Sequence, residues 1–238
     1  MKNFFLTLMA ACLFVACGQT QKNKENVETN VPEAEKLIAL SFDDGPNTTT
    51  TVKMLDMLEK HGVVGSFFVI GNNINDSSAV VMKRAFDMGC DIQNHSQTHA
   101  AMPNLTDQQI KDEIAYTSDM VEKYVGVRPT FFRPPYIAVN QTMYDNIELP
   151  FICGAGCNDW EPEVTAAQRA EMVIKNAADG QIVLLHDFPG NDATVEALDV
   201  IIPALKEQGF RFVTGPELFK AKNITPVRNK LYTNVMTD

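Results

Sequence analysis

Cationic charge is scarce in this chain: 20 Lys and Arg stand against 30 Asp and Glu over 238 residues, a formal net charge of −10. The balance falls one unit lower when residues 1–16 are set aside, because Lys2 carries their only charge. A surface of that sign repels polyanions and excludes nucleic acid as a partner, whereas neutral glycans remain compatible. A comfortable membrane span is lacking at the N-terminus, where the apolar run from Phe4 to Ala16 is too short. Cysteine is sparse, five in all, and no second CxxC-type pair accompanies Cys153 and Cys157, which argues against a thiolate zinc site. There are four histidines and one tryptophan, few enough for each to be weighed on its own.

Lys2 followed by that apolar run has the pattern of a signal peptide over residues 1–16. Ala16-Cys17-Gly18 and the polar stretch after it resemble the lipobox of bacterial lipoproteins, with Cys17 lipidated as the new N-terminus. Phe14 stands where that motif usually has Leu. Cys12, after "MAA", competes for the same role, and an ordinary cleaved signal peptide without lipid is the third option. Residues 17–35 have no apolar periodicity and are rich in Asn, Lys, Glu and Thr, a flexible tether. The expectation is an exported lipoprotein of the cell envelope, in contact with the membrane through the lipid on Cys17. Three cysteines then remain, Cys90, Cys153 and Cys157; export permits a disulfide, and Cys153 with Cys157 is the nearest pair, but connectivity stays open.

With 45% hydrophobic residues, the remainder can bury one core. Apolar runs at 37–42, 63–70, 90–94, 130–133, 149–153, 181–185 and 210–213 read as strands. Between them lie helical patterns at 49–60, 78–88, 106–125, 141–147, 166–178 and 193–208. Asn47 or Thr48 serves as N-cap of the first, Thr106 with Gln109 forms a capping box, and Pro203 is expected to kink the last. About seven β-then-α units predict an α/β domain with a parallel sheet, open or closed into a barrel, over residues 36–222, followed by a C-terminal tail at 223–238. In either form catalytic groups belong at the C-terminal ends of the strands.

Five motifs fall at such ends. "SFDDGP" places Asp43 beside Asp44 at a Gly-Pro turn, which can bring neighbouring carboxylates together only if the strand stops there. "HSQTH" spaces His95 and His99 by four, suited to one side of a helical turn and a shared metal. In "FFRPPY" two prolines hold Arg133 extended on a stiff support. "NDW" sets Asp159 beside Trp160, which base rates place in the core, and "LLHD" ends an apolar strand with His186.

In that order, and together with "VVGSFFVIG", these motifs resemble the polysaccharide deacetylases of the NodB homology domain, carbohydrate esterase family 4. The resemblance implies a distorted (β/α) barrel and metal-dependent hydrolysis of acetyl groups on sugars. It implies Asp44, His95 and His99 as ligands of a divalent metal, zinc first. Asp43 is then the general base, held by Arg133, and the Tyr136 N–H is the oxyanion donor. His186 is the general acid with Asp159 as partner, and Trp160, Leu184 and Tyr136 line the substrate pocket. Three positions depart from the family pattern: Ile137 where Gly usually follows RPPY, Gly156 where an Asp opens the fourth motif, and "GCDIQNH" for GHEIGNH. Ile137 does not easily take a positive φ, so a different loop is expected there. The implied substrate is an acetylated glycan, with N-deacetylation of N-acetylglucosamine-type sugars (chitooligosaccharide or peptidoglycan) ahead of O-deacetylation of xylan-like polymers. An inactive glycan-binding lipoprotein is the reading from another class.

Overall fold

The computed structural model describes residues 35–236. The signal-peptide reading of 1–16, and the lipidated Cys17 with nearly all of its tether, lie outside the described residues.

Strand β1 (Lys36–Asp43) is the axis of the fold. Its residues alternate between two apolar environments: Ile38, Leu40 and Phe42 face helices, while Leu37 and Ala39 face a second, inner cluster with Phe131, Ile152, Ile182 and Val213. All main-sheet pairings are parallel. β6 (Gln181–His186) runs along β1 with Asp43 opposite His186. β2 (Ser66–Val69) pairs with the end of β1 and β7 (Phe210–Phe212) with its start. β3 (Asp91–Asn94) pairs with β2, and β5 (Ala155–Gly156) with β6. Single bridges from Asn94 to Phe132 and from Phe132 to Phe151, in β4 (Phe151–Ile152), carry the ring onward. The result is a distorted (β/α) barrel.

Helices α1 (Thr50–His61), α2 (Asp76–Asp87), α5 (Ala166–Asn176) and α6 (Asp192–Glu207) cover the outer face, and α3 (Asp107–Val125) and α4 (Gln141–Asn146) pack over Phe132 and Phe151. Thr106 and Gln109 form the expected reciprocal capping box. Asn47 accepts from Thr49 and Thr51 N–H, although the first helical residue is Thr50 and Thr49 is the cap. α6 continues through Pro203 without a break.

Three departures from the sequence reading have local causes. The segment 130–133 is no regular strand, because the Gln93 side-chain oxygen takes the N–H groups of Thr130 and Phe131, at 2.8 and 2.7 Å, that a ladder would use. The run 149–153 keeps only β4 as strand, and a separate β5 follows it beyond Cys153 and Gly154, the latter at φ 136. Residues 223–236 form no free tail: β8 (Leu231–Tyr232) pairs with β4, Tyr232 and Val235 are buried, and Val235 N–H donates to the Gly180 carbonyl at 2.7 Å. Any Cβ at Gly180 would come within 2.3 Å of the Val235 oxygen. α7 (Gly215–Ala221), with a Thr214–Glu217 capping box, precedes that segment.

Candidate active site

The inner face of β1 ends Ser41, Asp43, and strict alternation would send Asp44 the other way. Asp44 instead has φ 78, a left-handed conformation that Asp tolerates better than most residues. Both carboxylates therefore line one cleft of about 560 Å³ at the C-terminal end of the strands. Gly45 is required behind them, since a Cβ there would lie 2.4 Å from Asp187 Oδ2.

Asp43 is buried, and Arg133 Nη1 donates to its Oδ1 at 2.5 Å. The fully buried guanidinium also donates to Ser41 Oγ at 2.8 Å and to the Cys153 carbonyl, and lies 4.0 Å from the centre of the Phe68 ring. Prolines 134 and 135 fix the chain beyond it. Both terminal nitrogens of the arginine are thus engaged, and one of them fixes the Asp43 carboxylate through Oδ1.

The two histidines come together, but not on a helical turn. His95–His99 is a loop in which Ser96 and His99 take φ 66 and 58. Glu113 of α3 pins it, accepting from Gln97 N–H (2.7 Å), Thr98 N–H (2.8 Å) and Thr98 Oγ1 (2.7 Å). Three acceptor contacts on one buried carboxylate replace the hydrogen bonds a helix would have supplied. His95 Nδ1 lies 2.7 Å from the Arg133 carbonyl, which accepts only from an N–H; Nδ1 is thus protonated and Nε2 offers its lone pair.

Asp44 Oδ1 is 3.5 Å from both His95 Nε2 and His99 Nε2, and it is a buried oxygen with no hydrogen-bond partner. One ligand atom from each of the three residues lies within 4.8 Å of the others. An orphaned carboxylate oxygen facing two imidazole nitrogens is a donor set for a divalent cation, so these residues fit a metal. Burial raises the Asp44 pKa, but His95, His186 and His99 outweigh it and hold the carboxyl below its usual range. Burial, then the neighbouring His95, lowers that of His99, favouring the neutral ligand form.

On β6, the even residues Ile182, Leu184 and His186 face inward. His186 Nδ1 is 2.8 Å from Asp159 Oδ1, so its Nε2 is turned away from Asp159, and its backbone N–H donates to Asp159 Oδ2 at 2.8 Å. Burial alone would depress the His186 pKa. The hydrogen bond to Asp159 and the charges of Asp43, Asp159 and Asp44 reverse this and push it up to about 9. Trp160, expected in the core, is 48% exposed, edge-on to His186 at 5.5 Å between ring centres. Leu184 lines the cleft as well, and a Cβ at Gly156 would meet both the Trp160 ring at 3.7 Å and the Leu184 side chain at 3.9 Å. Tyr136 is exposed, with its ring 4.6 Å from that of His99. Ile137 was expected to force a different loop, yet Tyr136 and Ile137 both take left-handed φ, 58 and 54. The backbone keeps the turn and carries the strain of a β-branched residue in it.

Every site residue read from the sequence thus borders this cleft or directly holds one that does. Glu113, Ser41 and Asp187 were missed. Ser41 and Asp187 sit inside the motifs SFDDGP and LLHD, and Glu113 is an acid on the buried side of an amphipathic helix. Asp187 is buried beneath the Gly45 turn and receives Thr51 Oγ1 at 2.5 Å; burial pushes its carboxyl up to about 7. Cys90, Cys153 and Cys157 are unpaired thiols, and burial pushes Cys157 up to about 12.

The polysaccharide deacetylase family model matches residues 30–149. The bifunctional xylanase/deacetylase of Pseudobutyrivibrio xylanivorans is 48% identical over 227 residues, covering 95% of this chain and 37% of that protein. A peptidoglycan-N-acetylglucosamine deacetylase of Listeria monocytogenes is 37% identical over 195 residues, 81% of this chain and 41% of that protein. The chain therefore spans about two fifths of the length of these curated relatives. Among solved structures, a family 4 acetyl xylan esterase from Clostridium thermocellum in complex with a cobalt ion superimposes with a TM-score of 0.83. It is 43% identical, and the match covers 85% of this chain and 100% of that one.

Proposed function

The chain belongs to the polysaccharide deacetylase family, and from that premise we propose that it hydrolyses acetyl groups from an acetylated glycan with a divalent metal, zinc first, held by Asp44, His95 and His99. The observation that carries this reading is the pairing of two proton-handling groups beside that ligand set: Asp43 backed by Arg133, and His186 backed by Asp159. A divalent cation bound there supplies Lewis acidity to the acetyl carbonyl and to water.

The chain's own residues do the rest. Asp43 accepts a proton from the attacking water as its oxygen bonds to the carbonyl carbon. The Tyr136 backbone N–H donates to the developing oxyanion. His186, cationic with Nε2–H directed away from Asp159, protonates the leaving atom as the bond to the acyl carbon breaks, giving acetate and a free amine or hydroxyl. Trp160, Leu184 and Tyr136 exclude water around the acyl group.

N-acetylglucosamine-type sugars are the preferred substrate class, because an amine leaving group departs only with a proton supplied, and His186, raised to about 9, carries that proton at neutral pH. O-acetyl groups on a xylan-type polymer are the second reading, favoured by the names of the xylanase/deacetylase and the acetyl xylan esterase. We place the protein at the cell envelope, tethered through a lipid on Cys17, on the strength of the sequence pattern at residues 1–18.

The test is acetate release from N-acetylglucosamine oligomers, peptidoglycan and acetylated xylan, before and after chelation and with zinc or cobalt restored. Metal-dependent release is expected, and Asp44→Ala should lose bound metal and activity together. Glycan binding without any metal-dependent acetate release would leave the inactive-lipoprotein reading in its place.

A further inference from the structure

Behind the Asp159–His186 pair sits a second buried cation. Arg169, on α5, is only 3% exposed, and its guanidinium hydrogen bonds go to neutral oxygens. Nε donates to the Val164 carbonyl at 2.8 Å and Nη2 to the Glu161 carbonyl at 3.2 Å, which ties down the loop that follows Trp160. Nη1 donates to Asn191 Oδ1 at 2.6 Å and to Thr194 Oγ1 at 2.8 Å.

Those last two contacts fix the direction of the next ones. With its oxygen held by Arg169, the Asn191 amide must turn its NH₂ the other way, where it donates to the His186 carbonyl at 2.8 Å and to Asp159 Oδ2 at 3.3 Å. The Thr194 hydroxyl accepts from the arginine, so its one proton goes to Asp159 Oδ2 at 3.0 Å. Together with His186 N–H and Nδ1–H, the fully buried Asp159 carboxylate receives four donors, two of them oriented from Arg169. An arginine's planar fork serves two side chains and two carbonyls at once, which a lysine ammonium does not reproduce in geometry.

We infer that Arg169 is a positioning residue for proton delivery: through Asn191 and Thr194 it locks the Asp159 carboxylate, and through Asp159 it aims His186 Nε2–H at the leaving atom. The inference rests on the deacetylase reading for the identity of the leaving atom. In the step concerned, the C–N bond breaks, its electron pair stays on nitrogen, and the His186 proton is transferred to that nitrogen. A substrate whose leaving group departs as a stable anion, such as 4-nitrophenyl acetate, needs no such proton. The two substrates therefore separate aim from general integrity of the fold.

The experiment compares wild type, Arg169→Met, Arg169→Lys and Thr194→Val on an N-acetylglucosamine oligomer and on 4-nitrophenyl acetate, with bound metal measured for each. Arg169→Met is expected to lower kcat on the oligomer by about 10- to 100-fold, the usual cost of losing an outer orienting contact, with KM little changed. Its rate on 4-nitrophenyl acetate should fall far less than that on the oligomer, since proton donation contributes nothing there and only the loosened Trp160 loop is felt. Arg169→Lys should recover part of the loss, and Thr194→Val, which removes one bridge, should show a smaller loss in the same direction. If Arg169→Met does not fold, Thr194→Val and Arg169→Lys carry the comparison. Equal losses on both substrates, or no loss on the oligomer, would overturn the inference.

Failure of the deacetylase reading gives a different result, no acetate release by the wild type. In that event the sole tryptophan, Trp160, still reports the anchored loop: Arg169→Met should lower its fluorescence anisotropy, and unchanged anisotropy overturns the inference.

Discussion

The two sides of the cleft are built as opposites. On one side the carboxylate of Asp43 faces the cleft and a permanent cation, Arg133, is sealed behind it; on the other the cationic His186 faces the cleft and the carboxylate of Asp159 is sealed behind. Adjacent strands present the two front groups, Asp43 opposite His186 in the β1–β6 register. In each pair the group at the front is the one assigned to exchange protons, while the one behind supplies charge and orientation. The supports differ as well. Arg133 is set by the prolines that follow it and by direct hydrogen bonds to Ser41 and the Cys153 carbonyl, whereas Asp159 is set by side chains from α5 and from the start of α6 acting through each other. The first support is direct and the second is relayed through a hydrogen-bond network.

Removing a rear partner should break the contrast most severely. Arg133→Ala strands the buried Asp43 carboxylate without a counter-charge and should cost about 3–5 kcal/mol, read by urea unfolding, along with nearly all turnover. Asp43→Asn spares the ligand set, so bound metal should be retained while kcat falls by about 10²–10⁴, the usual contribution of a general base. A near-wild-type rate would remove Asp43 from that role.

On the opposite side the readout is pH. His186 is raised to about 9, chiefly by its hydrogen bond to Asp159 overcoming burial. A folded pKa above the unfolded one, about 6.5, stabilises the fold fully below the latter, and this contribution is lost as pH rises through the folded value. Asp159→Asn should therefore lower the His186 titration, followed by NMR, and flatten the decline of stability between neutral pH and pH 9. The smallest effect concerns the strained loop. Ile137→Gly relieves a left-handed β-branched residue worth about 1–3 kcal/mol, offset by about 0.5–1 kcal/mol of glycine entropy, so a gain near 1 kcal/mol and a few degrees in Tm is expected.

Legibility in the sequence followed the range of the determining interactions. The alternation in β1 and β6, and the Thr106–Gln109 box, are set within a few residues and could be read directly. The convergence of Asp43 and Asp44 was readable too, because Gly45 and Pro46 mark where alternation stops. The conformation of His95–His99 was not: its spacing suited a helix, but Glu113 and Asn94 side chains define a loop instead. The segment 130–133 has strand composition and loses its ladder to one glutamine side chain. The docking of the C-terminal segment was not legible, because residues 231–235 show too short an apolar pattern to signal pairing, and their partners at Phe151, Ile152 and Gly180 lie far away in sequence. Arg169, Asn191 and Thr194 carry no motif at all, since their meaning arises only when α5 and α6 meet behind Asp159.

One contact has an evolutionary side. The proton on His95 is placed by the main-chain oxygen of Arg133, and a main-chain oxygen is common to all twenty amino acids. Whatever side chain mutation puts at position 133, that acceptor persists. Natural variation can therefore strip Asp43, the proposed base, of its arginine while His95, the proposed ligand, keeps its tautomer, a route by which a barrel of this kind could lose turnover and still hold an ion.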